Sequence, residues 1–335
     1  MRPKLAFAMN PGKTRHVFDH ALIGRLERVC DVLSTDPIED FATTSARGTL
    51  AVTEVLVTGW GCPLIGPDAL RSAPRLRLIA HAAGTVKFTV DPSAYARGIR
   101  VTHAAEANAI PVAEYTLAAI LFANKRAFEF RDLYRADHGR RSSHALMDQP
   151  IGNFQRTVGL VGASRIGRRV AALLAGFDVS VLLYDPFVQP GDPITAMAEL
   201  VDLDTLMSRS DVVSLHAPSL PTNGGMIGAR QFRLMADGAT FINTARGALV
   251  DEAALLAELE TGRIHAVIDV TDPEIPPPNS LFYTLPNVFL TPHIAGAIGT
   301  ERTRLGLMAV EEVERFVRGE KLLYEIEPEL LERLA

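Results

Sequence analysis

The sequence is poor in cysteine, with Cys30 and Cys62 the only two in 335 residues. Two thiols cannot build a disulfide framework or a cysteine-rich zinc site, and they suit a reducing compartment. Aromatic residues are sparse at 7%, and Trp60 is the single tryptophan. Long hydrophobic runs are lacking too. The longest, Val170 to Tyr184, is broken by Asp178 and falls short of the roughly 20 residues a membrane helix needs, so it reads as a buried helix followed by a strand. The opening MRPKLAFAMNPGKTRH has no apolar stretch long enough for a signal peptide. Positive charge is not in excess: 34 Lys and Arg against 39 Asp and Glu leave a net charge of −5. Neither nucleic acid nor an anionic membrane is an expected partner, no metal is implied, and a cytoplasmic protein is expected.

What is present is a globular composition, 47% hydrophobic and 22% charged. At about 150 residues per domain the length implies two domains. In the first hundred residues, strand-like runs (Leu5 to Met9, Glu54 to Thr58, Leu76 to His81, Ile99 to Thr102) alternate with helical patterns such as Val17 to Cys30. That alternation predicts a parallel sheet covered by helices. Asn108 to about Lys125 reads as one long helix with Pro111 in its first turn, and the polar stretch Arg126 to Asn153 as a surface excursion. From Thr157 the alternation resumes with six strands: Thr157 to Val161, Ser180 to Tyr184, Val212 to Leu215, Thr240 to Asn243, Ala266 to Asp269 and Val288 to Leu290. Six is the full set for a dinucleotide-binding sheet.

The first of these runs into Gly162-Ala163-Ser164-Arg165-Ile166-Gly167 and then into a helical pattern. This is G-x-G-x-x-G with serine in the middle. Gly162 permits the tight turn, Gly167 permits close helix–strand packing, and the N–H groups at the helix start face a pyrophosphate. Ser164 stands where glycine usually lets the backbone approach the ligand; its Cβ narrows that approach while its hydroxyl offers a hydrogen bond. By itself the motif is equally a plain strand-to-helix turn. Asp185 ends the next strand, eighteen residues after Gly167, where a carboxylate accepts from an adenosine ribose and repels a 2′-phosphate. NAD is therefore expected over NADP.

Three more segments follow apolar strands: Ile242-Asn243-Thr244-Ala245-Arg246-Gly247, Asp269-Val270-Thr271-Asp272-Pro273-Glu274 and Thr291-Pro292-His293-Ile294-Ala295-Gly296. Reducing a 2-oxo acid requires a cation for its carboxylate, an acid for the developing oxyanion, and a group that holds the acid. Arg246 has the bidentate fork, His293 titrates in the useful range, and Glu274 pairs with an imidazole. Taken singly each has an ordinary structural reading, as a helix cap, a strand-end histidine and a solvated loop glutamate.

Together these segments resemble the D-isomer-specific 2-hydroxyacid dehydrogenase family, which includes phosphoglycerate, glyoxylate/hydroxypyruvate and D-lactate dehydrogenases. Asn108 to Glu114 is similar to its interdomain helix start, His216-Ala217-Pro218 to its H-x-P loop near the nicotinamide, and Asn243 to Gly247 to its arginine loop. The resemblance implies that Arg246, Glu274 and His293 form the active-site set. It also implies that His216, Pro218, the Thr244-Ala245 backbone and Asp269 lie at the nicotinamide end, with Arg165 and Ile166 by the pyrophosphate. The implied fold is α/β with two open parallel-sheet domains: a flavodoxin-like substrate domain from residues 1–107 with 294–335, and an inserted Rossmann NAD-binding domain at 108–293. A homodimer built around the cofactor domain is implied as well, with the long helix and the Arg126 to Asn153 segment crossing to the partner. Glutamate at 274, where the formate dehydrogenase branch has glutamine, argues against formate. The expected substrate is a small carboxylate, a 2-hydroxy or 2-oxo acid. Two other readings share these motifs: a non-catalytic NAD(H)-sensing regulator, and a hydride-transfer enzyme for another small anion such as phosphite.

The match thins toward the N-terminus. His81-Ala82-Ala83-Gly84-Thr85-Val86-Lys87 stands in place of the family's substrate loop, G-x-G-x-D-N. Ala83 and Gly84 still offer backbone N–H groups to a carboxylate. Lys87 is either a second cation for an acidic substrate or a solvated loop lysine. Trp60, in Gly59-Trp60-Gly61, either faces the cleft or is a core or interface aromatic.

Overall fold

The computed structural model describes residues 2–139 and 141–328. The chain divides into two compact units, residues 1–109 with 297–335 and residues 110–296. In the first unit, β1 (Lys4–Ala8), β2 (Asp31–Val32), β3 (Val55–Thr58), β4 (Leu78–His81) and β5 (Arg100–His103) form a sheet ordered β2-β1-β3-β4-β5. Its pairings are parallel, and the order is that of flavodoxin-like sheets. Side chains alternate across β1. Leu5 and Phe7 pack with Leu22, Leu26, Leu305 and Val310 on one face, while Ala6 and Ala8 pack with Leu50, Leu70 and Ile79 on the other. Both faces are covered, so the strands read as continuous apolar runs.

The C-terminal helix Arg302–Arg318 completes this unit. A Cβ at Gly306 would lie 2.0 Å from the Val17 carbonyl oxygen, so only glycine lets the helix come this close. The fully buried Glu312 accepts from the N–H groups of Leu323 and Tyr324, tying down the chain that follows.

The second unit contains β6 (Arg156–Val161), β7 (Val179–Tyr184), β8 (Glu199–Leu200), β9 (Val212–Leu215), β10 (Thr240–Asn243), β11 (His265–Ile268) and β12 (Val288–Leu290). They form one parallel sheet ordered β12-β11-β10-β9-β6-β7-β8. This is the doubly wound arrangement, with the winding reversing between β6 and β9. Seven strands stand where six were expected. The extra one, β8, is a two-residue exposed edge strand, too short to leave any periodicity.

The long helix spans Ala105–Asn124 and begins earlier than expected. The His103 ring explains this, because its Nδ1 accepts from the Ala105 N–H at 2.9 Å. Pro111 consequently lies inside the helix rather than in its first turn. The stretch from Arg126 to Asn153 forms the helices Ala127–Asp137 and Arg141–Met147. Position 140 lies outside the described residues.

Candidate active site

The carboxyl ends of β6 and β9, where the winding reverses, carry the glycine loop and the H-x-P loop. Gly162 has φ +105, and a Cβ there would lie 2.6 Å from the Ala217 nitrogen. A Cβ at Gly167 would lie 2.1 Å from the Gly162 carbonyl oxygen. Both glycines are therefore fixed by close backbone approach. Ser164 has φ −64, which any residue adopts, and caps the helix Arg165–Leu174, its Oγ accepting from the Gly167 N–H at 3.4 Å. Arg165 is exposed at the first position of that helix, and Ile166 packs partly buried on the core beneath it.

Asp185 follows β7, and its carboxylate accepts from the Ala163 N–H at 2.7 Å and the Phe187 N–H at 2.8 Å. The acid is thus anchored to the glycine loop itself. Arg168 does not offset it, because its guanidinium grips Asp192 with two bonds of 2.6 and 2.8 Å and donates to the Ala163 carbonyl. These features fit a dinucleotide: two glycines that no side chain could replace, a helix whose first N–H groups have no intrahelical acceptor, and a carboxylate at the next strand end.

His216 is buried, not open to a ligand, and its Nε2 is bonded to Ser214 Oγ at 2.9 Å. Burial pushes its pKa down to about 3, so the ring is neutral. Its Cβ would touch a side chain at Gly167 at 3.4 Å, which places the imidazole beneath the glycine loop. Pro218 lends its carbonyl to Asn223 Nδ2 at 2.7 Å, shaping the turn after β9.

The candidate catalytic cluster is assembled on the loops that follow β10, β11 and β12. After β10, the Asn243 side chain accepts from the Ala245 N–H at 3.0 Å and donates to the Arg246 carbonyl at 3.1 Å, folding the arginine loop on itself. A Cβ at Gly247 would lie 2.1 Å from the Thr271 carbonyl carbon, so this loop rests directly on the glutamate segment. Thr271 Oγ1 in turn donates to the carbonyls of Pro273 and Glu274. Thr244 is buried with its hydroxyl 3.1 Å from that of Thr116, and the Ala245 carbonyl accepts from Arg246 Nη1.

Arg246 is partly buried and, among the described residues, has no carboxylate within ion-pair distance. Burial lowers its pKa from the ordinary arginine value, and the Glu274 charge acts in the opposite sense. A poorly hydrated guanidinium of this kind favours an incoming anion.

His293 Nδ1 lies 2.5 Å from Glu274 Oε1, with the two side chains 44% and 60% exposed, so the pair is open to a ligand. His293 has φ +55, a left-handed conformation held from below by Asp269. The buried Asp269 accepts from Thr291 Oγ1 at 2.6 Å, the Ile294 N–H at 2.8 Å and the Ala295 N–H at 2.9 Å. Tyr115 reaches Thr291 Oγ1 from the long helix at 2.8 Å. Asn243, Thr271, Thr291, Tyr115 and Ser214 were not picked out from the sequence. Asn243, Thr271 and Thr291 do lie within the three strand-end segments quoted above.

Within the first unit, Val86 is fully buried in the core, which accounts for an apolar residue in the loop after β4. Ala83 is buried, and Gly84 and Lys87 are half-buried. Trp60 is partly buried against the core, with Lys13 and Arg302 beside its ring.

Residues 117–295 match the family model described as D-isomer specific 2-hydroxyacid dehydrogenase, NAD binding domain. The chain belongs to this family. It is 36% identical over 258 residues to the glycerate dehydrogenase of Methylorubrum extorquens, covering 75% of this chain and 79% of that one. It is 34% identical over 258 residues to the D-3-phosphoglycerate dehydrogenase of Mycobacterium leprae, covering 76% of this chain and 48% of that one. The chain thus spans about half the length of the phosphoglycerate dehydrogenases it matches. Among solved structures it is similar to a Thermus thermophilus protein, with TM-score 0.75 and 29% identity over 97% of this chain and 100% of the other. It is also similar to a D-lactate dehydrogenase of Treponema pallidum, with TM-score 0.76 and 25% identity over 98% and 100%.

Proposed function

We propose that the protein interconverts a small 2-oxo acid and the corresponding 2-hydroxy acid with NAD as the hydride carrier. The observation that carries this reading is the 2.5 Å contact between His293 Nδ1 and Glu274 Oε1, with the glutamate segment resting directly on the loop that bears Arg246. Gly162, Ser164, Arg165, Ile166, Gly167 and Asp185 would hold the dinucleotide, with Pro218, Thr244, Ala245 and Asp269 toward its nicotinamide end and the buried His216 supporting the glycine loop from beneath. When bound, the nicotinamide supplies or receives the hydride.

The chain's own residues do the rest. Arg246 takes the substrate carboxylate in its planar fork. An ionised Glu274 can only accept, so His293 keeps its Nδ1 proton pointed at the glutamate and turns Nε2 toward the substrate. In reduction, Nε2–H gives its proton to the carbonyl oxygen as carbon receives the hydride; in oxidation, the neutral ring takes the hydroxyl proton at the same atom. The Ala83 and Gly84 backbone, Lys87 and Trp60 are assigned to substrate contacts of the first unit.

We also propose a homodimer. Phe122, Tyr134, Met147 and Phe154, which lie in or beside the Arg126 to Asn153 stretch, are all more than half exposed, and none of the side chains of the helix Ala127–Asp137 is fully buried. Such a surface favours a second copy of the chain. The two free thiols suit the cytoplasm.

The test is a scan of 2-oxo acids against NADH, followed at the nicotinamide absorbance. Turnover of at least one, abolished in Arg246→Ala, supports the reading. NADH binding without turnover of any oxo acid favours a sensor.

A further inference from the structure

The amino edge of the second unit's sheet, opposite the glycine loop, holds a polar cavity that the mechanism above does not use. It lies where β6, β9 and β10 begin, has a volume of about 150 Å³, and is lined by Asn124, Arg126, Arg156, Asp211, Gly238 and Thr240 among others, all within that unit. These strands are four to six residues long, so the loops at their carboxyl ends lie roughly 15 Å away. Asn124, the last residue of the long helix, is 2% exposed, and neither atom of its side-chain amide has a hydrogen-bond partner among the described residues. Its backbone is fixed, the carbonyl accepting from the Gly152 N–H at 2.7 Å. Arg156 donates from Nη1 to the Pro150 carbonyl at 2.6 Å and from Nη2 to Asp211 Oδ1 at 2.8 Å, which leaves a buried Nε–H equally unmet.

Arg126 has φ +52, with its Nε bonded to Glu129 at 2.8 Å and its Nη2 to the His265 ring. Its Nη1 faces Gly238, where a Cβ would lie 3.2 Å away. Buried amide and guanidinium nitrogens are nearly always bonded, so unmet ones lining a cavity point to a guest. A left-handed arginine beside them is backbone strain of the kind that gathers at binding sites. The charges pair off, Arg156 with Asp211 and Arg126 with Glu129, so a charged guest would lose its hydration without gaining a counter-ion. What remains unmet is the Asn124 amide, a donor and an acceptor side by side, and the Arg156 Nε–H. Neighbouring hydroxyls match that set, because each one both donates and accepts.

We propose that this cavity binds a small uncharged polyol, with adjacent hydroxyls on the Asn124 amide and Arg156 Nε. The site is independent of the oxo-acid reading above. Ordered water is the other way to satisfy these groups.

Equilibrium dialysis of the protein against labelled erythritol should show saturable binding of one molecule per chain. Glycerol should compete, and n-propanol, with a single hydroxyl, should not. Asn124→Leu, similar in size but without polar atoms, should abolish binding and leave the Tm unchanged or raised, because it removes an unmet buried amide. Arg156→Lys keeps a charge facing Asp211 but loses the Nε–H, and should weaken binding about tenfold, the scale of one hydrogen bond to a charged group. It also decides the case if Asn124→Leu does not fold. NADH affinity, read at the opposite edge of the sheet, should be unchanged in both. The absence of saturable erythritol binding, or binding unaltered in both variants, overturns the site in favour of ordered water. Acetate binding that disappears in Asn124→Leu overturns the assignment to an uncharged guest.

Discussion

The buried carboxylate of Asp269 holds the turn that presents His293. Its two oxygens accept from the Thr291 hydroxyl and from the N–H groups of Ile294 and Ala295, while its own carbonyl accepts from the His293 N–H at 2.8 Å. The family resemblance places this aspartate by the nicotinamide. Geometry gives it a second task, fixing a histidine whose left-handed backbone costs energy. Asp269→Asn sets an amide N–H against one of these donors. It should lower kcat at least about tenfold and cost about 1–3 kcal/mol of stability. Steady-state kinetics and urea denaturation check both, and an unchanged kcat would show that the turn holds itself.

Coenzyme choice follows from Asp185 and from the Arg168–Asp192 pair. The Arg168 guanidinium, with the Ile194 N–H, pulls the Asp192 carboxyl down to about 2, so the pair stays charged across any assay range. Arg168 is thereby kept from a 2′-phosphate. NADH should be preferred over NADPH by at least about tenfold in kcat/KM, roughly 1.4 kcal/mol. Asp185→Ala should narrow the gap, and equal kcat/KM with the two coenzymes in the unaltered protein would contradict the assignment.

Acid should destabilise the fold before its carboxylates titrate. Burial pushes His81 down to about 4, helped by the His103 charge, and His265 down to about 4, helped by Arg126; burial alone takes His216 to about 3. Their folded values lie below the ordinary 6.5, so the unfolded chain binds more protons at acid pH. Stability should be full above about pH 6.5 and fall progressively toward about pH 4. Thermal melts between pH 7 and 4.5 test this, and His265→Gln should flatten the decline. A Tm that holds constant across that range would contradict it.

Assembly is tested at the apolar surface near the long helix. Light scattering at micromolar concentration should give twice the chain mass. Replacing Tyr134 and Met147 together by glutamate should give a monomer, because charges cannot be buried there unpaired. A monomeric mass for the unaltered protein would refute the dimer.

The glycine loop was legible in the sequence because its backbone restricts residue type, whereas Arg246, Glu274 and His293 became a candidate set only together and through the family resemblance. No other residue tolerates the backbone approach at Gly162, and a fork, a proton that titrates near neutrality and a carboxylate are each supplied by only one or two residue types. The supporting groups were not legible. Thr291 and Asp269 are far apart in sequence and meet only because β11 and β12 pair in parallel register, and Tyr115 meets Thr291 from a distant helix. Threonine and asparagine are too common for their types to single them out. The strands β2 and β8 are two residues each, below any periodicity, and the helix start at Ala105 depends on a histidine cap outside the usual capping set.

The most direct test of the account is the kinetics of His293→Ala with NADH and whichever 2-oxo acid the scan identifies, with NADH affinity measured separately. Loss of the proton donor should lower kcat by about 100-fold or more and leave the NADH dissociation constant unchanged. Glu274→Gln, which keeps an acceptor but removes the charge, should fall between that variant and the unaltered protein. A folded His293→Ala variant that turns over the oxo acid at the unaltered rate would contradict the claim that this imidazole moves the proton.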